Sequence, residues 1–268
     1  ELQDNRYTGV STEIVTPHLT WARPYAGGTV RVLVIAPAWG QRETVELQQR
    51  FDFDCHAVMT DTHMNLAQEA GFLAPDKVAL RFDQGLAWKP DVIVIGGLNW
   101  GMLLLEHRAE ILRQVQAGAG LVYVGPPKND ELAQLFSRGV EDRSATIAAG
   151  VPWDLLTALR ERRIGDVIHS GTFGQGRWVT LNYPTNSTNQ SLTPSLWPWP
   201  AAWEYEPYIA LVGRAVLCAA KREPAPALSP PLQDAFAQAD VPAKLVVPVT
   251  LPAGQTARLA GWLVRLPE

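Results

Sequence analysis

The sequence predicts an open α/β fold, in which a mainly parallel β-sheet carries helices on both faces. The first observation is a continuous apolar run, TVRVLVIAP at 29–37, which is typical of a strand buried on both sides of a parallel sheet. The second is the unit at 91–127, in which a strand, a loop, a helix, a glycine turn and a further strand follow one another. Strands that alternate with helices in this way indicate parallel pairing with right-handed crossovers.

The first half of the fold is predicted to continue from these two strands. A helix is expected from Arg42 to Phe51, a second strand at 53–59, and a short strand or turn from Val78 to Leu86. A longer helix spans Met102 to Ala117 and ends at the glycines of 118–120. Its predicted buried stripe consists of Leu105, Ile111, Leu112 and Val115.

The second half has a looser pattern. Helices are predicted at 129–136 and 151–162, and a last helix from Glu204 to Arg222. Two apolar runs, at 167–172 and 177–182, surround a Gly-Gln-Gly turn and predict a β-hairpin. The fold would therefore end with an antiparallel pair and a long apolar helix.

The chain is divided into four segments by its composition. Residues 1–28 read as an extended N-terminal arm, and 29–222 as the α/β domain. The proline-rich segment 223–240 reads as a linker. The tail, 241–268, is expected to contain short β-strands and resembles the beginning of a truncated β-sandwich.

Composition excludes several classes of function. Hydrophobic residues make up 47% of the 268 residues and charged residues 19%, which indicates a globular chain. The net charge is −4 without a basic run, so we expect no nucleic-acid partner. No apolar run reaches the ~18 residues that a membrane span requires. We expect no cofactor, and we favour two buried thiols at Cys55 and Cys218 over a disulfide or a nucleophile.

The histidines do not predict a metal site. His56, His63 and His107 are not spaced as known pairs of metal ligands. His107 lies between Glu106 and Arg108 on the long helix, and we expect it on a solvated face. No metal is therefore expected.

Several polar and aromatic residues follow the predicted strands, where ligands bind in open parallel sheets. In a catalytic interpretation, His63 would act as an acid or base oriented by Asp61, with Glu43 as a further carboxylate. In a structural interpretation, the same residues would cap helices, and Arg42 would pair with Glu46. We favour this structural interpretation. The expected ligand-binding residues at this edge are Trp39, Arg42, Asn99 and Trp100.

A long proline-rich loop precedes the last helix and carries Trp197, Trp199 and Trp203. Its indoles would stack on sugar rings, form an interface with a neighbouring domain or subunit, or fill a core of their own. We rank the interface and the self-packed flap equally, with sugar binding behind both.

The order of these segments resembles a known family. The five segments that carry the resemblance are VRVLVIAP, DVIVIGG, AGAGLVYVG, GTFGQGRWVTLNY and WEYEPYIALVGRAVLCAAKR. Their order resembles that of the class I glutamine amidotransferase-like fold, which is also flavodoxin-like. The chain is most similar to the ThuA-like proteins and to the trimerisation domain of certain β-galactosidases. The resemblance covers about residues 29–222 and implies the fold of that family.

The resemblance also argues against glutaminase chemistry. The family places a nucleophilic cysteine in a G-x-C-x-G turn, and the matching position here is Pro126, or Asn99 in another alignment. Neither side chain supplies a nucleophile at neutral pH. The family's late His and Glu pair is also not evident, because His169 has no acidic residue two positions later.

These observations predict a non-catalytic scaffold, a binding module or an oligomerisation module within a larger protein concerned with carbohydrate. Its partners would be carbohydrate, neighbouring domains or a second copy of the chain, and we expect a secreted or cell-surface protein. Two alternatives stay open. One is a hydrolase that uses His63, Asp61 and Glu43, and the other is a sugar-binding module that uses the tryptophan loop.

Overall fold

The open α/β fold is confirmed. A computed structural model describes residues 28–37, 40–51, 53–60, 75–128, 130–136, 139–185, 191–194, 204–223, 227–228 and 249–250. Within them, a six-stranded sheet has five parallel strands and one antiparallel strand. The strands are β1 (Val30–Pro37), β2 (Phe53–Thr60), β3 (Val92–Gly96), β4 (Gly120–Val124), β5 (Ile168–Phe173) and β6 (Gly176–Leu181).

The strand order is β2-β1-β3-β4-β6-β5, with β5 antiparallel to β6. The first four strands have the order of flavodoxin-like sheets, and the direction of winding reverses between β1 and β3. β5 and β6 form the predicted hairpin, whose turn begins at Gly174 with a φ of +60°. All five parallel strands end at one edge, which we call the carboxyl edge.

Seven α-helices are described and cover both faces of the sheet. They are α1 (Gln41–Arg50), α2 (Pro75–Ala87), α3 (Leu105–Gln116), α4 (Glu131–Phe136), α5 (Ser144–Ala148), α6 (Ile164–Val167) and α7 (Tyr205–Ala219). Alternating residues of β1 point to opposite sides, because successive side chains of a strand alternate. Val32 packs in the cluster that contains α1 and α7, whereas Leu33 packs in the cluster that contains α2 and α3.

The prediction of a strand or turn from Val78 to Leu86 is wrong, because this segment lies within α2. Val78, Phe82 and Leu86 recur at four-residue spacing and are all buried. That spacing places them on one face of a helix, toward the sheet. The apolar run was too short for its helical period to be recognised.

The predicted helix from 151 to 162 is also wrong. The structure has one 3₁₀ turn, Trp153–Leu155, followed by further turns. Nε1 of Trp153 donates a hydrogen bond to the carbonyl of Arg162 at 2.8 Å, which closes the segment into a loop. Pro152 precedes only this 3₁₀ turn.

Helix α3 begins three residues later than predicted, after a separate 3₁₀ turn at Trp100–Met102. Its buried face also differs, since Leu105 is 71% exposed and His107 is 4% exposed. His107 stacks on Phe82 at 4.4 Å, so its predicted solvated position is wrong. The reason is its spacing, because His107 lies four residues before the buried Ile111.

Two short strands lie outside the main sheet. β7 (Ala227–Leu228) pairs with β8 (Val249–Thr250) in an antiparallel ladder. β7 lies within the segment predicted as a linker, and β8 lies within the predicted tail.

Candidate functional site

The crevice where the sheet reverses its winding is occupied by the chain itself. Residues 191–193 lie across the carboxyl edge of β3, and a Cβ added to Gly96 would lie 2.3 Å from Cδ2 of Leu192. The hydroxyl of Tyr183 donates to the carbonyl of Leu192 at 2.7 Å. Ligands of open α/β sheets usually bind in this crevice. In this protein, residues 191–193 fill that position.

Glu43 holds this segment in place. Its carboxylate accepts backbone N–H groups from Ser191 (2.7 Å), Leu192 (2.8 Å) and Thr193 (2.9 Å), and the hydroxyl of Thr193 at 2.8 Å. The side chain is 1% exposed. Burial raises the pKa of Glu43 to about 7, and the four hydrogen bonds oppose that rise. The predicted catalytic carboxylate is therefore committed to internal hydrogen bonds.

Asn99 and Trp100 also make internal contacts. The side chain of Asn99 accepts the backbone N–H of Gly101 at 2.9 Å and caps the 3₁₀ turn. Trp100 is buried, and its backbone N–H donates to the hydroxyl of Tyr123 at 3.1 Å. That hydroxyl donates to Asp130 at 2.9 Å, so the loops after β3 and β4 are joined.

Arg42 faces α7. Its Nε lies 3.9 Å from the Glu46 carboxylate, which is the predicted pair, and its guanidinium lies over the ring of Tyr205 at 5.2 Å. Burial raises the pKa of that tyrosine well above its usual range. The other predicted residues lie outside the described part of the chain: Trp39, Asp61, His63, Trp197, Trp199 and Trp203.

An open cavity of about 590 Å³ lies at the carboxyl edge beside β4 and β6; we call it the edge cavity. Its size is within the range of small-molecule sites. It is lined by Gly97, Gly125, Pro126, Pro127, Lys128, Arg162, Asp166, Asn182, Tyr183, Pro184 and Thr185. The edge cavity extends from Gly97, directly after β3, to the residues that follow β6.

The edge cavity has few backbone donors. The N–H groups of Gly97 and Gly125 donate to the carbonyls of Val124 (3.1 Å) and Leu181 (2.9 Å). Pro126 and the next residue, also proline, have no N–H group. Phosphate-binding turns depend on such groups. These four positions therefore offer the edge cavity no free backbone donor.

Side chains supply the remaining polarity of the edge cavity. The Arg162 guanidinium donates to the carbonyl of Asn182 and, at 3.4 Å, to that of Asp166. The hydrogen bond from Arg163 is the main cause that lowers the pKa of Asp166. Lys128 is exposed, and Thr185 lies against Gly125. The edge cavity is therefore lined by both hydrogen-bond donors and hydrogen-bond acceptors.

A second cavity, of about 440 Å³, lies beside β5 and is called the β5 cavity. Trp178, Thr180 and Asn182 line it at two-residue spacing, as side chains on one face of a strand do. His169 stands opposite Thr180 in the ladder, and its Nδ1 lies 3.0 Å from Nδ2 of Asn182. Asn182 therefore lines both cavities.

The sequence did not identify Asn182 or His169 as site residues. The predicted site residues lie in loops after the first strands and in the tryptophan loop, whereas this pair belongs to the final hairpin. A usable signal was present, since polar residues alternate with apolar ones toward the end of β6.

Free thiols supply no nucleophile here. Cys55 and Cys218 are both unpaired, the first half-buried and the second buried as expected. Burial raises the pKa of Cys55 to about 12 and that of Cys218 to about 11. Thiols with such pKa values carry almost no thiolate at neutral pH.

The described residues form neither a metal site nor a membrane-spanning helix. No group of three or more His, Cys, Asp or Glu residues there is arranged to hold a metal ion. No helix described in the structure combines the length and apolar character that a membrane crossing needs.

Comparison with known proteins gives no named relative. No protein-family model matches this chain, and no curated protein matches it either. Among solved structures, the chain is similar to a cytoplasmic protein from Salmonella typhimurium LT2, with 13% sequence identity and a TM-score of 0.38. That match covers 70% of this chain and 99% of the other.

Proposed function

We propose that this chain is a non-catalytic, amidotransferase-like binding module of a larger carbohydrate-related protein. Its ligand would occupy the edge cavity. One observation carries the proposal: the Glu43 carboxylate is enclosed by hydrogen bonds from Ser191, Leu192 and Thr193, while the edge cavity stays open.

The residues at the expected nucleophile positions support this view. In one alignment the position is Pro126, and in the other it is Asn99, which caps a turn. Nucleophilic catalysis requires an activatable hydroxyl, thiol, amine or carboxylate. Neither residue offers one.

The chemistry of the edge cavity favours a neutral, hydroxylated ligand. Lys128 and Thr185 donate, Asp166 accepts, and Asn182 does both. Proline rings at 126, 127 and 184 supply apolar walls for C–H surfaces. A sugar presents hydroxyl groups and apolar faces in this combination.

The test is calorimetric titration of the purified chain with a panel of neutral monosaccharides and short oligosaccharides. Lys128→Ala and Thr185→Val are each expected to weaken binding by about three- to tenfold, the effect of one lost hydrogen bond. Arg81→Ala removes a positive charge from the exposed face of α2 and is the control. Absence of binding at millimolar sugar, or equal affinities for all variants, would contradict the proposal.

A hydrolase screen tests the non-catalytic part separately. The chain is expected to release no product from glycoside, ester or amide substrates. Turnover that disappears in His63→Ala would instead establish the hydrolase that the sequence leaves open.

A further inference from the structure

We propose that the β5 cavity is a second subsite continuous with the edge cavity, so that the ligand is an elongated, uncharged molecule rich in hydroxyl groups. This inference rests on the binding function proposed above. Asn182 lines both cavities, and the neighbouring residues Gly165 and Asp166 line one cavity each. A ligand that passes Asn182 would therefore contact both.

An indole N–H that has no acceptor among the described residues lies in the wall of the β5 cavity. Trp178 lines it and is 3% exposed, and its Nε1 is buried without a hydrogen-bond partner among the described residues. Buried indole N–H groups usually have a partner, and an unpaired one destabilises the folded state. Phe136 stacks on the indole at 5.2 Å and holds its plane. A ligand oxygen would satisfy this donor.

The rim of the β5 cavity offers both donors and acceptors. When the Asn182 amide donates to Nδ1 of His169, the neutral imidazole carries its proton on Nε2 and presents a donor. Thr180 lies on the same face and also lines the cavity. Hydroxyl groups both donate and accept, so they match this set.

The two carboxylates near the β5 cavity already accept hydrogen bonds within the protein. Asp142 accepts the backbone N–H of Ser144 at 2.9 Å, and Asp166 pairs with Arg163 at 2.9 Å. A cationic ligand is therefore not required, and an anionic ligand would be repelled by Asp142. Val140, which is 66% exposed, supplies apolar surface. These features together favour an uncharged ligand with apolar faces.

The experiment is nitrogen-15 NMR of the whole chain titrated with linear α-1,4- and β-1,4-linked glucose oligomers of one to six units. Trp178→Phe assigns the Trp178 indole N–H among the 10 tryptophans and keeps the aromatic stack. We expect this resonance to move downfield with the longer oligomers. The indole of Trp88, which stacks on His56 at the opposite edge of the sheet, is the internal control.

Affinity then separates the two proposals. His169→Ala and Trp178→Phe are each expected to weaken the longer oligomers by about three- to tenfold and to leave monosaccharides unchanged. If sugars bind but affinity ignores chain length and both variants, the second subsite is refuted while the binding function stands. If no sugar binds and neither cavity shows shifted resonances, both proposals fail.

Discussion

Glu43 and Thr193 are 150 residues apart in sequence and are joined twice, because one carboxylate oxygen accepts both the backbone N–H and the hydroxyl of Thr193. The other oxygen accepts the N–H groups of Ser191 and Leu192. One side chain of α1 therefore satisfies three consecutive buried backbone donors. It fixes the loop after β6 over the winding reversal of the sheet.

Loss of this side chain is expected to destabilise the protein. Glu43→Ala leaves three buried N–H groups without an acceptor, and we expect the free energy of unfolding at pH 5 to fall by about 3 kcal/mol. Urea denaturation measures the change. Gln48→Ala, on the exposed face of the same helix, is the control and should change stability by less than about 0.5 kcal/mol. Equal stabilities of the two variants would show that Glu43 does not anchor the loop.

The titration of Glu43 predicts a dependence of stability on pH. The carboxyl has an ordinary pKa of 4.5, and burial raises it to about 7 in the folded protein. Between these values the folded state holds more protons than the unfolded state, so the contribution of Glu43 is complete below pH 4.5 and is lost as pH rises to 7. The loss is about 3 kcal/mol.

Denaturation curves recorded from pH 4.5 to pH 8 measure this effect. The stability difference between the wild type and Glu43→Ala should shrink as pH rises, since the variant lacks the titrating group. The carboxyls with lowered pKa values, such as Asp166, act at lower pH and in the opposite direction. Parallel curves for the two proteins would contradict the assignment to Glu43.

The sequence predicted the central strands because their pattern is local. Val32 and Leu33 belong to one uninterrupted apolar run, and only a strand covered on both faces buries such a run completely. Helix α2 was missed because the helical period shows only over Val78, Phe82 and Leu86. The buried face of a helix also depends on its phase, and His107 shows that a polar residue can occupy it.

The sequence could predict that the candidate site lies at the carboxyl edge of the sheet, but it could not predict the side-chain contacts there. Glu43 was selected from its place after β1, but its partners at 191–193 come from a loop that no local pattern connects with α1. Asn182 and His169 meet across a hairpin whose register is set by pairing rather than by spacing. Side-chain partners of this kind depend on tertiary contacts.

A buried hydroxyl network offers a matched pair of variants. Tyr123→Phe removes a hydroxyl that lies 2.7 Å from the Leu98 carbonyl oxygen and 2.9 Å from the Asp130 carboxylate, and we expect a loss of about 2 kcal/mol in unfolding free energy. Tyr205→Phe removes a buried hydroxyl that has no hydrogen-bond partner in the described part of the chain, so we expect almost no loss. Thermal and urea denaturation compare the two. Equal losses would show that the hydroxyl of Tyr123 does not stabilise the loops after β3 and β4.

The floor of the edge cavity depends on a glycine. Gly125 has a φ of +63°, and a Cβ there would lie 2.6 Å from Oγ1 of Thr185. Gly125→Ala is therefore expected to cost about 2 kcal/mol of stability, from the left-handed backbone and the displaced threonine. Gly165→Ala is the control, because its Cβ would meet no atom within 4 Å.

The same pair of glycines separates backbone strain from cavity shape. Gly165→Ala should be neutral or slightly stabilising, since alanine favours a helix more than glycine does. If Gly125→Ala costs stability, a second variant, Gly125→Ala with Thr185→Ser, should recover part of it, because Cγ2 of Thr185 also lies 2.8 Å from the added Cβ. Full stability of Gly125→Ala alone would mean that Thr185 moves away freely, and the floor of the edge cavity would then not be fixed by this contact.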